Sequence, residues 1–276
     1  MKHILLPTDF SENAWSAAVY AFKLYANEEC DFHFLHSINI KASSMSSMSN
    51  KLSRTMAENA MKDLVNLKET AENTTANTNH NFHIILSNND IEDAIDSTIK
   101  KHKIDLIIMG TKGATKAKEF FFGSNAVNII KNIKNCPVLV VPDEYEFVKP
   151  TQIAFPTDFN RFYGEELTPL KRLSEIHNSK INVFHINEKE NLTDTQNYNL
   201  SMLNVNLEDY PHTFHWTPDH GEKTEEINDF ITEKNINILT IINYTHSFIE
   251  NIINEPIIKK IGFHPIVPFL VIPGQD

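Results

Sequence analysis

The sequence predicts an α/β protein made of two doubly wound parallel five-stranded sheets in tandem. Three observations carry that expectation. Short apolar runs alternate with stretches of helical periodicity, the order that gives a parallel sheet covered on both faces. The same ordered set of anchors occurs twice along the 276 residues. In the first half, glycine is confined to one short stretch that follows an apolar run, at Gly110, Gly113 and Gly123.

Taken in order, His3–Leu6 reads as the first strand, and Ser11 as the cap of a helix. Ala14, Ala17, Ala18, Ala21, Phe22 and Tyr25 form one apolar face of that helix. Phe32–Ile38 is the second strand. The polar run 41–50 is expected to be a loop, followed by a helix to about Glu72. Asn81–Leu86 is a third strand, Ile91–His102 a helix, Asp105–Met109 a fourth strand and Val138–Val141 a fifth. In an open sheet of this kind, ligands bind beyond the carboxyl ends of the strands, where strand order reverses. Asp9 and Gly110 both follow strand ends, so they can face one another across such a crevice.

The repeat is explicit. Pro7-Thr8-Asp9-Phe10 recurs as Pro156-Thr157-Asp158-Phe159, and Leu35-His36 becomes Phe184-His185 at the same offset of 149. His80-Asn-Phe-His83 matches His212-Thr-Phe-His215 at an offset of 132, and Pro137–Pro142 matches Pro268–Pro273 at 131. Four anchors in one order indicate a duplication, with the second copy about seventeen residues shorter between its second and third strands. The acidic bridge Asp143–Pro150 is the natural linker. The expected domains are 1–146 and 147–276.

A hydrophobic fraction of 41% is enough for two cores, and a net charge of −11 with no basic arm argues against nucleic acid or anionic membrane as partner. No stretch approaches the about 20 apolar residues of a membrane span, and the opening apolar run is too short for a signal peptide. The expected compartment is the cytoplasm. Cys30 and Cys136 have neither a CxxC nor a metal spacing, so buried, inert thiols are expected.

Asp9 admits two roles: a turn or helix-start carboxylate, or an acceptor for a nucleotide hydroxyl or base. A carboxylate there could also hold a metal carried by phosphates, which makes magnesium a candidate companion ion. The run Gly110-x2-Gly113-x9-Gly123-Ser124 joins a strand to a helix start. Free N–H groups and the positive end of a helix dipole make such a junction a phosphate cradle. Ser124 is either a simple N-cap or a phosphate contact, and Lys112, between two glycines, can reach a phosphate, whereas Lys116 and Lys118 read as solvated. His80 and His83, like His212 and His215, fall on opposite faces of their strands, and no HExxH or paired-cysteine spacing is present, so no metal site is expected. Motifs for a serine nucleophile, a Walker loop or a Cys/His pair are absent, and no catalytic residue is assigned.

The glycine pattern after Asp105-Leu-Ile-Ile-Met109, the opening Ile4-Leu-Leu-Pro-Thr-Asp-Phe-Ser11 and Cys136-Pro-Val-Leu-Val-Val-Pro142 resemble the universal stress protein family. The resemblance spans residues 1–142, and 151–273 in weaker form. It implies strand order 3-2-1-4-5 in each sheet, an intrachain pseudo-dimer through the last strands, and ATP or another adenine nucleotide near strands 1 and 4. By position it assigns Pro7, Thr8, Asp9 and Ser37 to the adenosine. Met109, Gly110, Lys112 and Gly113 fall near ribose and phosphate, and Gly123, Ser124, Asn125 and Ala126 at the phosphates. It also implies action through nucleotide state and an unidentified protein partner, with a homodimer of the tandem chain as one candidate. A slow magnesium-dependent ATP hydrolase and a nucleotide-free scaffold are the competing readings. In the second half Asp158 is kept. Asn254 and Glu255, followed by Pro256, replace the glycine and serine of the helix start, so that half is expected not to hold phosphate.

Overall fold

The computed structural model describes residues 1–38, 47–75, 78–111, 123–187, 191–219, 223–244 and 266–274. Lys112, Gly113 and the Asn254–Pro256 replacement lie outside those residues. The chain divides between Glu144 and Tyr145 into two compact units.

In the N-terminal unit the parallel strands are β1 (Lys2–Pro7), β2 (Cys30–Ser37), β3 (His80–Ser87), β4 (Leu106–Gly110) and β5 (Val138–Val141). Their order is β3-β2-β1-β4-β5. The helices are α1 (Glu12–Leu24), α2 (Ser47–Thr74), α3 (Ile91–His102) and α4 (Ser124–Asn132). Each boundary has a local cause. The Ser11 hydroxyl accepts the Ala14 N–H at the start of α1, and the Asp90 carboxylate accepts the Asp93 N–H at the start of α3. Lys103, in left-handed conformation, ends α3. Of the expected loop 41–50, Ser47–Asn50 belong to α2, and 41–46 lie outside the described residues. Serine and asparagine are weak helix formers, and the long helix they open overrides that preference.

The second unit repeats the plan with β6 (Gln152–Pro156), β7 (Lys180–Ile186), β8 (His212–Thr217), β9 (Ile238–Asn243) and β10 (Phe269–Pro273). Their order is β10-β9-β6-β7-β8, all parallel. Its helices among the described residues are α5 (Thr168–His177), α6 (Asp194–Asn206) and α7 (Lys223–Glu233), and Glu165–Leu167 form a 3-10 turn.

Period-two alternation divides the strand residues of the first unit between two cores. Phe32, Phe34 and Phe82 meet Phe22 of α1 edge-to-face, with ring centres 5.0, 6.4 and 5.2 Å away. Asp31, His33 and His83 take the opposite face, beneath α3, where the His33 and His102 rings are 4.9 Å apart. Both cysteines are buried, and burial pushes each thiol up to about 12.

Candidate functional site

The segment between β1 and α1 folds on its own side chains. Thr8 Oγ1 accepts the Phe10 N–H at 3.0 Å, and Asp9 Oδ1 accepts the Ser11 N–H at 3.1 Å. These two turns hold Phe10 at φ 63°, a left-handed conformation that a bulky residue adopts only when its surroundings fix it. His36, at the end of β2, locks the turn from the other side. Its Nδ1 lies 2.8 Å from the Thr8 carbonyl, which can only accept, and its ring packs on Phe10 with centres 4.6 Å apart. The turn role of Asp9 is therefore present in the structure, through one of its two carboxylate oxygens.

Beyond the carboxyl ends of β1, β2 and β4 this turn borders a cleft of about 330 Å³. The cleft gathers ten residues assigned from the sequence: Pro7, Thr8, Asp9, Ser37, Met109, Gly110, Gly123, Ser124, Asn125 and Ala126. Its volume falls within the usual range for small-molecule pockets, about 300–1,000 Å³. The two ends differ in charge. Asp9 and Asp90 stand among its lining residues, while α4 begins at Gly123–Ser124 with no side-chain cap and no acid in its first turn. The helix dipole and first-turn N–H groups make that start favourable for an anion. The Gly123 N–H donates to the Thr111 carbonyl, fixing where α4 starts relative to β4.

Gly110 has a structural reason that the sequence did not reveal. A Cβ on it would lie 2.0 Å from Asn13 Oδ1 and 3.0 Å from the Asn13 carbonyl oxygen. The missing side chain therefore lets α1 approach β4, and the buried Asn13 fills the space.

The second unit repeats the turn and changes its surroundings. Thr157 Oγ1 accepts the Phe159 N–H, Asp158 Oδ1 accepts the Asn160 N–H, and Phe159 sits at φ 54°. His185 Nδ1 lies 2.7 Å from the Thr157 carbonyl. Here the carboxylate also receives the protein's own hydroxyl, because Tyr244 Oη donates to Asp158 Oδ1 at 2.7 Å. The Tyr244 ring carries the Arg161 guanidinium 4.8 Å from its centre, which holds it over the turn. Gln196 adds two contacts, to the Asp158 carbonyl at 2.8 Å and to Asn160 Oδ1 at 3.2 Å. The remaining cleft measures about 220 Å³.

A model of the universal stress protein family matches residues 1–142. The chain belongs to the universal stress protein family. Among curated relatives, Universal stress protein MJ0577 of Methanocaldococcus jannaschii is 32% identical over 157 residues, covering 51% of this chain and 94% of that protein. Universal stress protein MJ0531 of the same organism is 27% identical over 143 residues, covering 51% and 81%. Among solved structures, a universal stress protein from Archaeoglobus fulgidus DSM 4304 aligns over 99% of this chain and 97% of its own, with a TM-score of 0.67 at 18% identity. That likeness concerns the fold.

Within this universal stress protein, the cleft also draws in residues that sequence reasoning passed over: Ala14, His36, Asp90, Ile91, Thr111 and Ile129. A signal existed for His36, since the repeat kept it as His185. It also existed for Asp90, an acid placed just before a helical pattern. Among the described residues, no helix is long and apolar enough to cross a membrane.

Proposed function

We propose that the N-terminal unit, with its domain running over residues 1–146, binds one adenine nucleotide, ATP foremost. In this reading the protein acts through its nucleotide state and partner contacts rather than by catalysis. The observation that carries it is the polarity of the cleft. Two carboxylates, Asp9 and Asp90, are suited to accept from ribose hydroxyls or an adenine amino group. The uncapped, acid-free start of α4 is suited to phosphates. The oxygen-rich lining also suits magnesium brought in by the phosphates, with Asp9 as the candidate carboxylate. The second unit is proposed to bind no nucleotide, since Tyr244 already occupies the Asp158 carboxylate.

Mass spectrometry of small molecules released from the natively purified protein tests this directly, and calorimetric titration with ATP follows. One site per chain is expected. Asp9→Asn keeps an oxygen that can accept the Ser11 N–H, so the turn survives while affinity falls about tenfold or more, as for a hydrogen bond to a charged group. An Asp9→Asn protein with unchanged affinity would remove Asp9 from the site. Nucleotide analysis after long incubation separates binding from slow hydrolysis, and no conversion above that of free ATP is expected.

A further inference from the structure

On the N-terminal unit, at the other end of β2 from the cleft, three strands and a helix end bring together five side chains that nucleotide binding does not use. His3 stands opposite Asp31 across β1 and β2, and His33 stands opposite His83 across β2 and β3. His102, the last residue of α3, leans on His33. Ligand atoms of His3, Asp31 and His33 all lie within 4.8 Å of one another. His83 Nε2 is 3.5 Å from Asp31 Oδ1, and His3 Nδ1 is 3.4 Å from Asp31 Oδ2. His33 is only 4% exposed, and both of its ring nitrogens are buried without a hydrogen-bond partner; His3 Nδ1 is likewise without one. Interiors rarely leave such atoms unsatisfied.

We propose that His3, Asp31 and His33, completed by His83 or His102, form a binding site for a divalent transition-metal ion of the zinc class. Imidazole and carboxylate are the ligands such ions take, and the spacing fits. With Zn–N near 2.0–2.1 Å, two imidazoles on one tetrahedral ion have ring centres about 5 Å apart. His33 is 4.8 Å from His83, 4.9 Å from His102 and 5.9 Å from His3. An ion can enter from solvent past His83, whose side chain is 48% exposed. Asn81 Nδ2 donates to Asp31 Oδ1 at 2.9 Å, the kind of outer contact that orients a ligating carboxylate.

The second unit supplies an internal comparison. By the repeat, His3, Asp31, His33, His83 and His102 become Gln152, Lys180, Asn182, His215 and Lys234. There the polar atoms satisfy one another. Asn182 Nδ2 donates to Gln152 Oε1 at 2.9 Å, and Asn182 Oδ1 lies 3.3 Å from both Thr213 Oγ1 and His215 Nε2. Two lysines at the remaining positions would repel a cation. The register differs as well, since His33 stands opposite His83 whereas Asn182 stands opposite Thr213, and the second unit closes its hydrogen bonds where the first brings ligand atoms together.

The test uses the full chain without a histidine tag, stripped with a chelator and titrated with zinc chloride by calorimetry. One ion per chain is expected. His33→Asn, which copies Asn182, and His3→Gln, which copies Gln152, should each weaken binding by about 100-fold or more, beyond the 10–100-fold typical of outer contacts. His215→Asn should change nothing. Zinc should raise the melting temperature of the wild type and not of His33→Asn, with circular dichroism confirming that each variant is folded. If the buried His33→Asn fails to fold, the partly exposed His3→Gln decides alone. Absence of zinc binding overturns the proposal. So does full-affinity binding that survives these changes, which is the behaviour of scattered surface histidines.

Discussion

Gly110→Ala separates two reasons for a glycine at the end of β4: close approach of a ligand, or close approach of a helix. The added Cβ would sit 2.0 Å from Asn13 Oδ1, 2.6 Å from its Cγ and 3.0 Å from its carbonyl oxygen. Asn13 can rotate away, but its amide donates to Asp143 Oδ1 at 3.3 Å, and the residue is 6% exposed. Disturbing a buried polar group costs about 1–3 kcal/mol. Alternatively α1 can shift, against the packing of Ala17, Ala18 and Ala21, and overpacking of this kind also costs about 1–3 kcal/mol. The chain takes the cheaper route, so a loss of about 2 kcal/mol is expected. Asn13→Ala in the same chain removes the two shortest contacts and leaves the 3.0 Å one. A favourable coupling of about 1 kcal/mol between the two changes follows.

Urea unfolding followed by tryptophan fluorescence measures this, because Trp15 lies on α1 and Trp216 on β8. A Trp216→Phe background makes Trp15 the reporter of the N-terminal unit and avoids treating two units as one transition. If Gly110→Ala unfolds within about 0.5 kcal/mol of its parent, or if Asn13→Ala gives no relief, the packing account of Gly110 is wrong. Unchanged stability combined with lost ATP binding would instead assign the glycine to the ligand.

Ser124→Glu places a carboxylate at the start of α4, copying the residue that the repeat puts at that sequence position, Glu255, and should weaken ATP by about 30-fold or more through like-charge repulsion; calorimetry showing two sites, or unchanged affinity, would point to the second unit instead. Cys30 and Cys136, both pushed up to about 12, should resist iodoacetamide at pH 8 in the native protein and react in urea, since only the thiolate attacks and burial withholds it until far higher pH; rapid native alkylation of either would contradict its burial. Tyr244→Phe removes the hydroxyl on Asp158 and keeps the ring under Arg161, so it should destabilise the second unit by about 1–2 kcal/mol in Trp216-monitored unfolding, and a null effect would mean that the hydrogen bond contributes nothing.

Much of the fold was legible because each local signal agreed with the others. Ile91–His102 was read to the residue, since Asp90 caps it, acids open it and lysines close it. Val138–Val141 was equally clear as an apolar run behind proline. The Ser47–Asn50 turn of α2 was not, because serine and asparagine, weak helix formers, mark a loop as readily as a helix start. Asp9, Gly110, Gly123 and Ser124 were found through strand ends and a glycine spacing, which are local along the chain; the other assigned cleft residues came from the family resemblance. Asn13 was missed because its partner Gly110 is almost a hundred residues away and no periodicity links them.

The histidine cluster shows the limit more sharply. His80 and His83 were correctly separated by strand alternation: His80 Nε2 lies 3.0 Å from the Tyr25 carbonyl on the α1 side, while His83 faces Asp31. What alternation cannot supply is register, which sets His3 beside Asp31 and His33 beside His83 across three strands. A metal motif written on one helix is visible as a spacing, but one written across a parallel sheet is not. The duplication then does what an alignment would otherwise do. Where the second copy places Gln152, Asn182 and Lys234, it exchanges three clustered histidines for paired amides and a cation; where it places Tyr244, it adds a hydroxyl donor to the Asp158 carboxylate. The first of these changes closes hydrogen bonds at the position where both His33 ring nitrogens lack a partner. The two units should therefore differ in what they bind while sharing the frame that positions it.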